Sequence, residues 1–154
     1  FVDSTDPEKR NTLIDRLLDG TEYAAHFAMK WGAILQNKRA GRADFTAGTH
    51  AMSLWLKDAF HRDMPYDQFV RAILTATGTP ADNPPVTWYR QVRTPQQNVD
   101  NVSQLFLGTR IQCAQCHHHP FEKWSQDDYY SFAAFFARVG RKPFENSDNG
   151  EPTE

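Results

Sequence analysis

Cysteine is scarce, with two residues in 154, which excludes a disulfide-scaffolded secreted module. No apolar run approaches the length a bilayer requires, and the mean hydropathy is −0.67, so no segment reads as a membrane span. Neither sign of charge dominates: 17 Lys and Arg face 19 Asp and Glu, for a net charge of −2. That balance argues against a nucleic-acid-binding stripe and against a polybasic membrane patch. Internal repeats, low-complexity tracts and strand-like alternation are also missing. The opening Phe1-Val2-Asp3-Ser4-Thr5 carries neither an initiator Met nor an apolar leader, and the segment is expected to be an excerpt of a longer protein.

What is present is a helical pattern rich in aromatics. Hydrophobic residues make up 40% of the chain and aromatics 13%, enough for a real core. The fold expected is all-α: a single domain of about six helices over residues 1–139, followed by a polar tail over 140–154 that frays. Asp6-Pro7 predicts a helix start, with Leu13, Ile14, Leu17 and Leu18 as its apolar stripe and Gly20 as its stop. Residues 21–36 place Tyr23, Phe27, Trp31, Ile34 and Leu35 on one face. A basic connector, 37–44, leads to a third helix over Thr46–Arg62 carrying Met52, Trp55, Leu56, Ala59 and Phe60. Pro65 opens a fourth with Phe69, Ile73 and Leu74. The stretch Thr77–Thr94 is broken by glycine and prolines, yet its Trp88-Tyr89 predicts packing rather than disorder. A fifth helix runs from Pro95 to Leu107, ended by Gly108, and a sixth starts at Ser125 and buries Tyr129, Phe132, Phe136 and Val139.

The two cysteines are Cys113 and Cys116, and His117 follows directly. Cys-x-x-Cys-His is the spacing of c-type haem attachment. Two thiols one turn apart reach two vinyl groups on one porphyrin edge, and the next residue offers an imidazole to the iron as the proximal axial ligand. Three other readings compete. A thioredoxin-like dithiol expects a βαβ context that the pattern does not offer. A structural zinc site normally draws on a second Cys or His pair, which the chain lacks. A disulfide between such near neighbours closes too small a loop to stabilise much. The reading adopted is one covalent haem c and one-electron transfer, hence a carrier rather than an enzyme. A five-coordinate haem enzyme or a gas or peroxide sensor is the first alternative, and a zinc-stabilised interaction module is the second. Chain connectivity brings Phe106, Phe121 and Trp124 near such a haem. Arg110, with Arg90 and Arg93, offers guanidinium forks to its propionates.

The run Gln104-Leu105-Phe106-Leu107-Gly108-Thr109-Arg110, the Cys113–His117 motif, His119-Pro120-Phe121-Glu122-Lys123-Trp124, Gln126-Asp127-Asp128-Tyr129-Tyr130 and Phe135-Phe136 together resemble the planctomycete-type cytochrome domain. Pro65-Tyr66-Asp67-Gln68-Phe69-Val70-Arg71 and the earlier Leu17-Leu18, Tyr23 and Trp31 are similar to it as well, so the likeness covers nearly the whole chain. The resemblance implies an exported, periplasmic or extracytoplasmic c-type haem domain within a larger polypeptide. Its partners would be a redox protein or other domains of the same chain. Where His118 stands, relatives more often carry Asp, which separates His118 from the shared chemistry.

The second axial position is not marked by spacing. Met64, Met52, Met29, His26 and His61 are the candidates for a distal ligand. His119 lies too close to His117 to cross to the other face. Its expected job is a hydrogen bond to a backbone carbonyl or to a propionate. Asp127-Asp128 reads as complement to a helix dipole rather than as an acid–base pair. The Lys38-Arg39 to Arg42 cluster is a docking surface for an acidic redox partner or simply a solvated connector.

Overall fold

A computed structural model describes residues 1–38 and 44–140, apart from the side chains of Asp44 and Phe45. The expected 140–154 tail, apart from Gly140, lies outside the described residues, as do Arg39 and Arg42 of the basic cluster. Among the described residues every regular element is helical: α1 (Lys9–Leu18), α2 (Thr21–Ile34), α3 (Asp44–His61), α4 (Tyr66–Leu74), α5 (Pro95–Phe106) and α6 (Gln126–Ala134). Two short 3-10 turns, Pro84–Arg90 and Gln112–Gln115, complete the order. The chain divides into two compact units, Phe1–Gln91 and Val92–Glu154.

In the first unit α2 and α3 form the main helix pair, because each presents small or aliphatic residues where the backbones approach. Ala24 and Ala28 of α2 and Met52, Leu56 and Ala59 of α3 are buried. An aromatic cluster continues this core toward α4. Trp31 meets Phe69 edge-on at 5.0 Å, Trp55 stacks on Phe69 at 5.3 Å, and Phe60 lies 5.9 Å from both Phe27 and Phe69. Offset and edge contacts of this kind add to simple area burial. The long segment after α4 is packed, as its aromatics imply. Its 3-10 turn is docked by Thr87 Oγ1 donating to the Gly48 carbonyl at 3.3 Å and Tyr89 Oη donating to the Leu74 carbonyl at 2.7 Å. Burial raises the Tyr89 pKa above its ordinary value.

Helix α1 departs from expectation. Asp6 Oδ1 accepts the Glu8 amide at 2.9 Å, but the regular helix begins only at Lys9. No residue of α1 is buried, and Ile14, Leu17 and Leu18 are exposed. Its apolar stripe therefore contributes little to the core of this unit.

The second unit is built from α5, the Gln112–Gln115 turn and α6. Thr94 and Gln97 make a capping box at the start of α5, and Gly108, with φ of +66°, ends the segment in the left-handed region open to glycine. Val99, Val102, Ile111, Ala114, Tyr129, Ala133 and Phe136 are buried. Ser125 and Asp128 cap α6 reciprocally. Val139, expected on the buried face of α6, is exposed instead. The helix ends at Ala134, and the bonds Phe135 to Phe132, Phe136 to Ala133 and Val139 to Phe136 are all three-residue steps. Tightening from 3.6 to 3.0 residues per turn rotates Val139 away from the core.

Candidate functional site

The Cys-x-x-Cys-His motif occupies the Gln112–Gln115 turn and the residues after it. The Cys113 carbonyl accepts the amides of both Cys116 and His117 at 3.4 Å, so the segment closes into one helical turn. Residues three apart nearly eclipse in a 3-10 turn, which puts the two thiols on one side. Ala114, between them, is fully buried and anchors the turn, and its amide donates to the Ile111 carbonyl at 2.8 Å. Both cysteines are free and exposed.

Three consecutive histidines follow, and their backbone partners separate them chemically. His117 Nδ1 lies 2.7 Å from the His118 carbonyl oxygen. A carbonyl only accepts, so this nitrogen carries the proton, and in the neutral ring Nε2 keeps the lone pair. His119 has the opposite arrangement. Its Nδ1 accepts the amides of Glu122 at 2.9 Å and Phe121 at 3.3 Å, which leaves Nε2–H as a donor. His118 Nδ1 likewise accepts the Gln126 amide at 3.3 Å. Of the three, His117 alone offers the ring nitrogen remote from the backbone as a ligand. The bond expected from His119 to a backbone carbonyl is replaced by two from backbone amides, since the chain folds back over its ring. That fold is closed by the His119 amide donating to the Trp124 carbonyl at 2.8 Å.

Helix α6 supports the turn. The Gln115 carbonyl accepts from Gln126 Nε2 at 3.0 Å and from Tyr130 Oη at 3.2 Å. The ring of Tyr129 is fully buried, and its hydroxyl donates to Asp100 Oδ1 at 3.1 Å, joining α6 to α5. Burial raises the Asp100 pKa, with the Tyr129 hydrogen bond pulling it partly back. Burial and the Asp100 charge in turn keep the Tyr129 phenol protonated well above the usual tyrosine range. Hydrogen bonds from the Ser125 hydroxyl and amide hold Asp128 below the usual carboxylate range, so this carboxylate is a cap rather than an acid–base group.

The other expected site residues are spread unevenly. Phe121, at the tip of the His119–Trp124 loop, is 92% exposed, while Trp124 and Phe106 are half-buried and Arg110 is exposed. The distal candidates Met64, Met52, Met29, His26 and His61 all belong to the first unit. Met52 is fully buried in its core. His26, Met29 and His61 are exposed, and Met64 is half-buried in the turn before α4. His61 borders a shallow depression of about 230 Å³ with Thr21, Leu54, Lys57 and Asp58. Arg90 packs its guanidinium against Gly48 of α3. Gln126, Tyr130 and the Tyr129–Asp100 pair were not singled out from sequence as site residues, because their partners are a backbone carbonyl and a residue 29 positions away.

Taken together, the second unit is a helical scaffold presenting two accessible thiols and one oriented imidazole on a short turn. The chain belongs to the PSCyt2 family, a planctomycete-type protein family of unknown function (DUF1549), whose model matches residues 1–141. No curated protein and no solved structure matches it.

Proposed function

We propose that this domain carries one covalent c-type haem and passes single electrons, with Cys113 and Cys116 as its thioether residues and His117 as an axial ligand. The observation that carries this reading is the 2.7 Å contact between His117 Nδ1 and the His118 carbonyl, which assigns the proton to Nδ1 and leaves Nε2 of the neutral ring as a lone pair on the residue that follows two free, exposed thiols. Metal-binding histidines characteristically use such a second hydrogen bond to fix ring orientation and raise basicity. Cys113 and Cys116 would hold the group by adding each thiol across one vinyl, sulfur to one carbon and the thiol proton to the other, which would need no external oxidant. The bound group would supply a reversible one-electron iron couple. His119 Nε2–H and Arg110 are donors suited to its carboxylates, and the exposed Phe121 ring offers an apolar surface to its edge. Zinc is less well served. A closed zinc site wants four donors, whereas no three His, Cys, Asp or Glu side chains converge among the described residues.

The setting proposed is an exported compartment, where thioether maturation takes place, with a redox protein or a neighbouring domain of the same polypeptide as partner. The test is expression together with cytochrome c maturation machinery. The expected product is red, gains the mass of one haem, keeps its pigment through acid–acetone extraction, and loses it in a Cys113→Ser, Cys116→Ser double variant. A properly matured product with only the polypeptide mass overturns the reading. A five-coordinate spectrum that shifts with carbon monoxide transfers the protein to the sensor or haem-enzyme class.

A further inference from the structure

Cys116, His117 and His118 are all exposed, so side-chain packing does not hold this stretch in place. Beside the turn's own bonds to the Cys113 carbonyl, hydrogen bonds from α6 do, and they converge on one residue. Gln126 donates its side-chain amide to the Gln115 carbonyl, just before Cys116, and its backbone amide to His118 Nδ1, just after His117. The Cys116–His117 dipeptide is therefore bracketed from both ends by one residue at the start of α6. Tyr130, one helical turn later and on the same face, adds a second donor to the Gln115 carbonyl.

Building on the haem reading above, we propose that Gln126, assisted by Tyr130, is the positioning residue for the axial imidazole. The link is mechanical. His118 supplies the carbonyl that receives His117 Nδ1–H; the backbone amide at position 126 holds the His118 ring after the dipeptide, and the Gln126 side chain fixes the Gln115 carbonyl before it, so the direction of the His117 lone pair is set from α6 and the side-chain half of that bracket is what substitution removes. Outer partners of this kind tune a metal centre without touching the metal. The arrangement also accounts for a histidine at position 118. Its Nδ1 serves as an acceptor for the first amide of α6, a job that a carboxylate oxygen does equally well.

The test uses Gln126→Glu and Tyr130→Phe. Glutamate keeps the size of glutamine and suits a helix N-terminus, but its ionised oxygens cannot donate to the Gln115 carbonyl. In haem-free protein, nitrogen NMR of the imidazoles should show His117 protonated at Nδ1 and His118 and His119 protonated at Nε2. In Gln126→Glu the His117 ring should become a mixture of tautomers. Amide exchange at Cys116–His118 should rise about tenfold, roughly the worth of one hydrogen bond, with the midpoint of thermal unfolding lowered by no more than the about 3–6 °C that such a bond is worth. In matured protein the ratio of reduced to oxidised iron at a fixed potential should shift by about tenfold, equivalent to about 59 mV for one electron. Tyr130→Phe should move each readout in the same direction and by less. Unchanged His117 tautomer, exchange and potential in both variants overturn the proposal. If the wild type fails to retain pigment, the haem reading fails while the haem-free measurements still decide whether Gln126 positions His117.

Discussion

Replacing Tyr129 by phenylalanine deletes a single oxygen from a fully buried ring and keeps the packing of α6 on α5. The oxygen lost is the donor to Asp100 Oδ1. A hydrogen bond to a charged acceptor contributes about 1.5–3 kcal/mol net, against about 0.5–1.5 kcal/mol for a neutral pair. Asp100 is half-buried, so water shares its charge and the lower end applies, about 1.5 kcal/mol at pH 7. For a chain of this length that is a fall of about 3–6 °C in Tm. The pH dependence has a definite sign. Burial places the folded-state pKa of Asp100 above its unfolded value, so its contribution to stability is fully present below the unfolded pKa and is lost as pH rises through the folded one. Without the Tyr129 hydroxyl the carboxyl loses the hydrogen bond that lowers its pKa, and the loss on going from acid to neutral pH becomes larger. The destabilisation should grow from about 0.5 kcal/mol near pH 3.5, where the carboxyl is protonated, to about 1.5 kcal/mol near pH 7. Urea unfolding followed by circular dichroism at the two pH values measures it. Equal destabilisation at both, or none at either, would refute the coupling between this hydroxyl and the Asp100 charge.

Other expectations are simpler to state. Ser125→Ala removes the hydroxyl half of the α6 capping box and should cost about 1 kcal/mol, read as a lowered urea midpoint at constant slope. Because Asp128 is held below its ordinary pKa largely by that hydroxyl, its share of stability is present above the unfolded pKa and is lost as pH falls through the folded one. The Ser125→Ala penalty should therefore shrink in acid, and a penalty that grows there contradicts the cap. Met52→Ala should destabilise by about 2–5 kcal/mol because its side chain is fully buried, whereas Met52→Leu should cost less than about 1.5 kcal/mol. The leucine variant of matured protein should keep the wild-type visible spectrum. A shift would make the Met52 thioether an iron ligand rather than core.

Several elements were legible before the structure because single residues carry their signal. Ser125 with Asp128 marks the start of α6, and Pro95 that of α5, by local chemistry that acts within three residues, whereas the Thr94–Gln97 capping box around Pro95 emerged only in the structure. The Cys113–His117 spacing is equally local, one helical turn read directly from residue positions. Longer-range outcomes were not. The stripe Leu13, Ile14, Leu17, Leu18 has helical periodicity and does form a helix, but periodicity reports a face without saying whether anything covers it. Val139 failed for a different reason: a 3.6-residue repeat was extended past Ala134, where the chain had already tightened to three-residue steps.

The sharpest contrast lies among His117, His118 and His119, three identical letters in a row. Their roles diverge because one ring nitrogen meets a carbonyl and the other two meet amides. Backbone atoms have no letter in a sequence. A motif can therefore announce that an imidazole follows two thiols, yet the protonated nitrogen depends on where the chain turns back on itself. Here that turn is set by α6, through a glutamine whose two donors reach either side of the dipeptide. The spacing of the cysteines places two thiols and an imidazole on one turn, and the start of the next helix supplies the hydrogen bonds on either side of them.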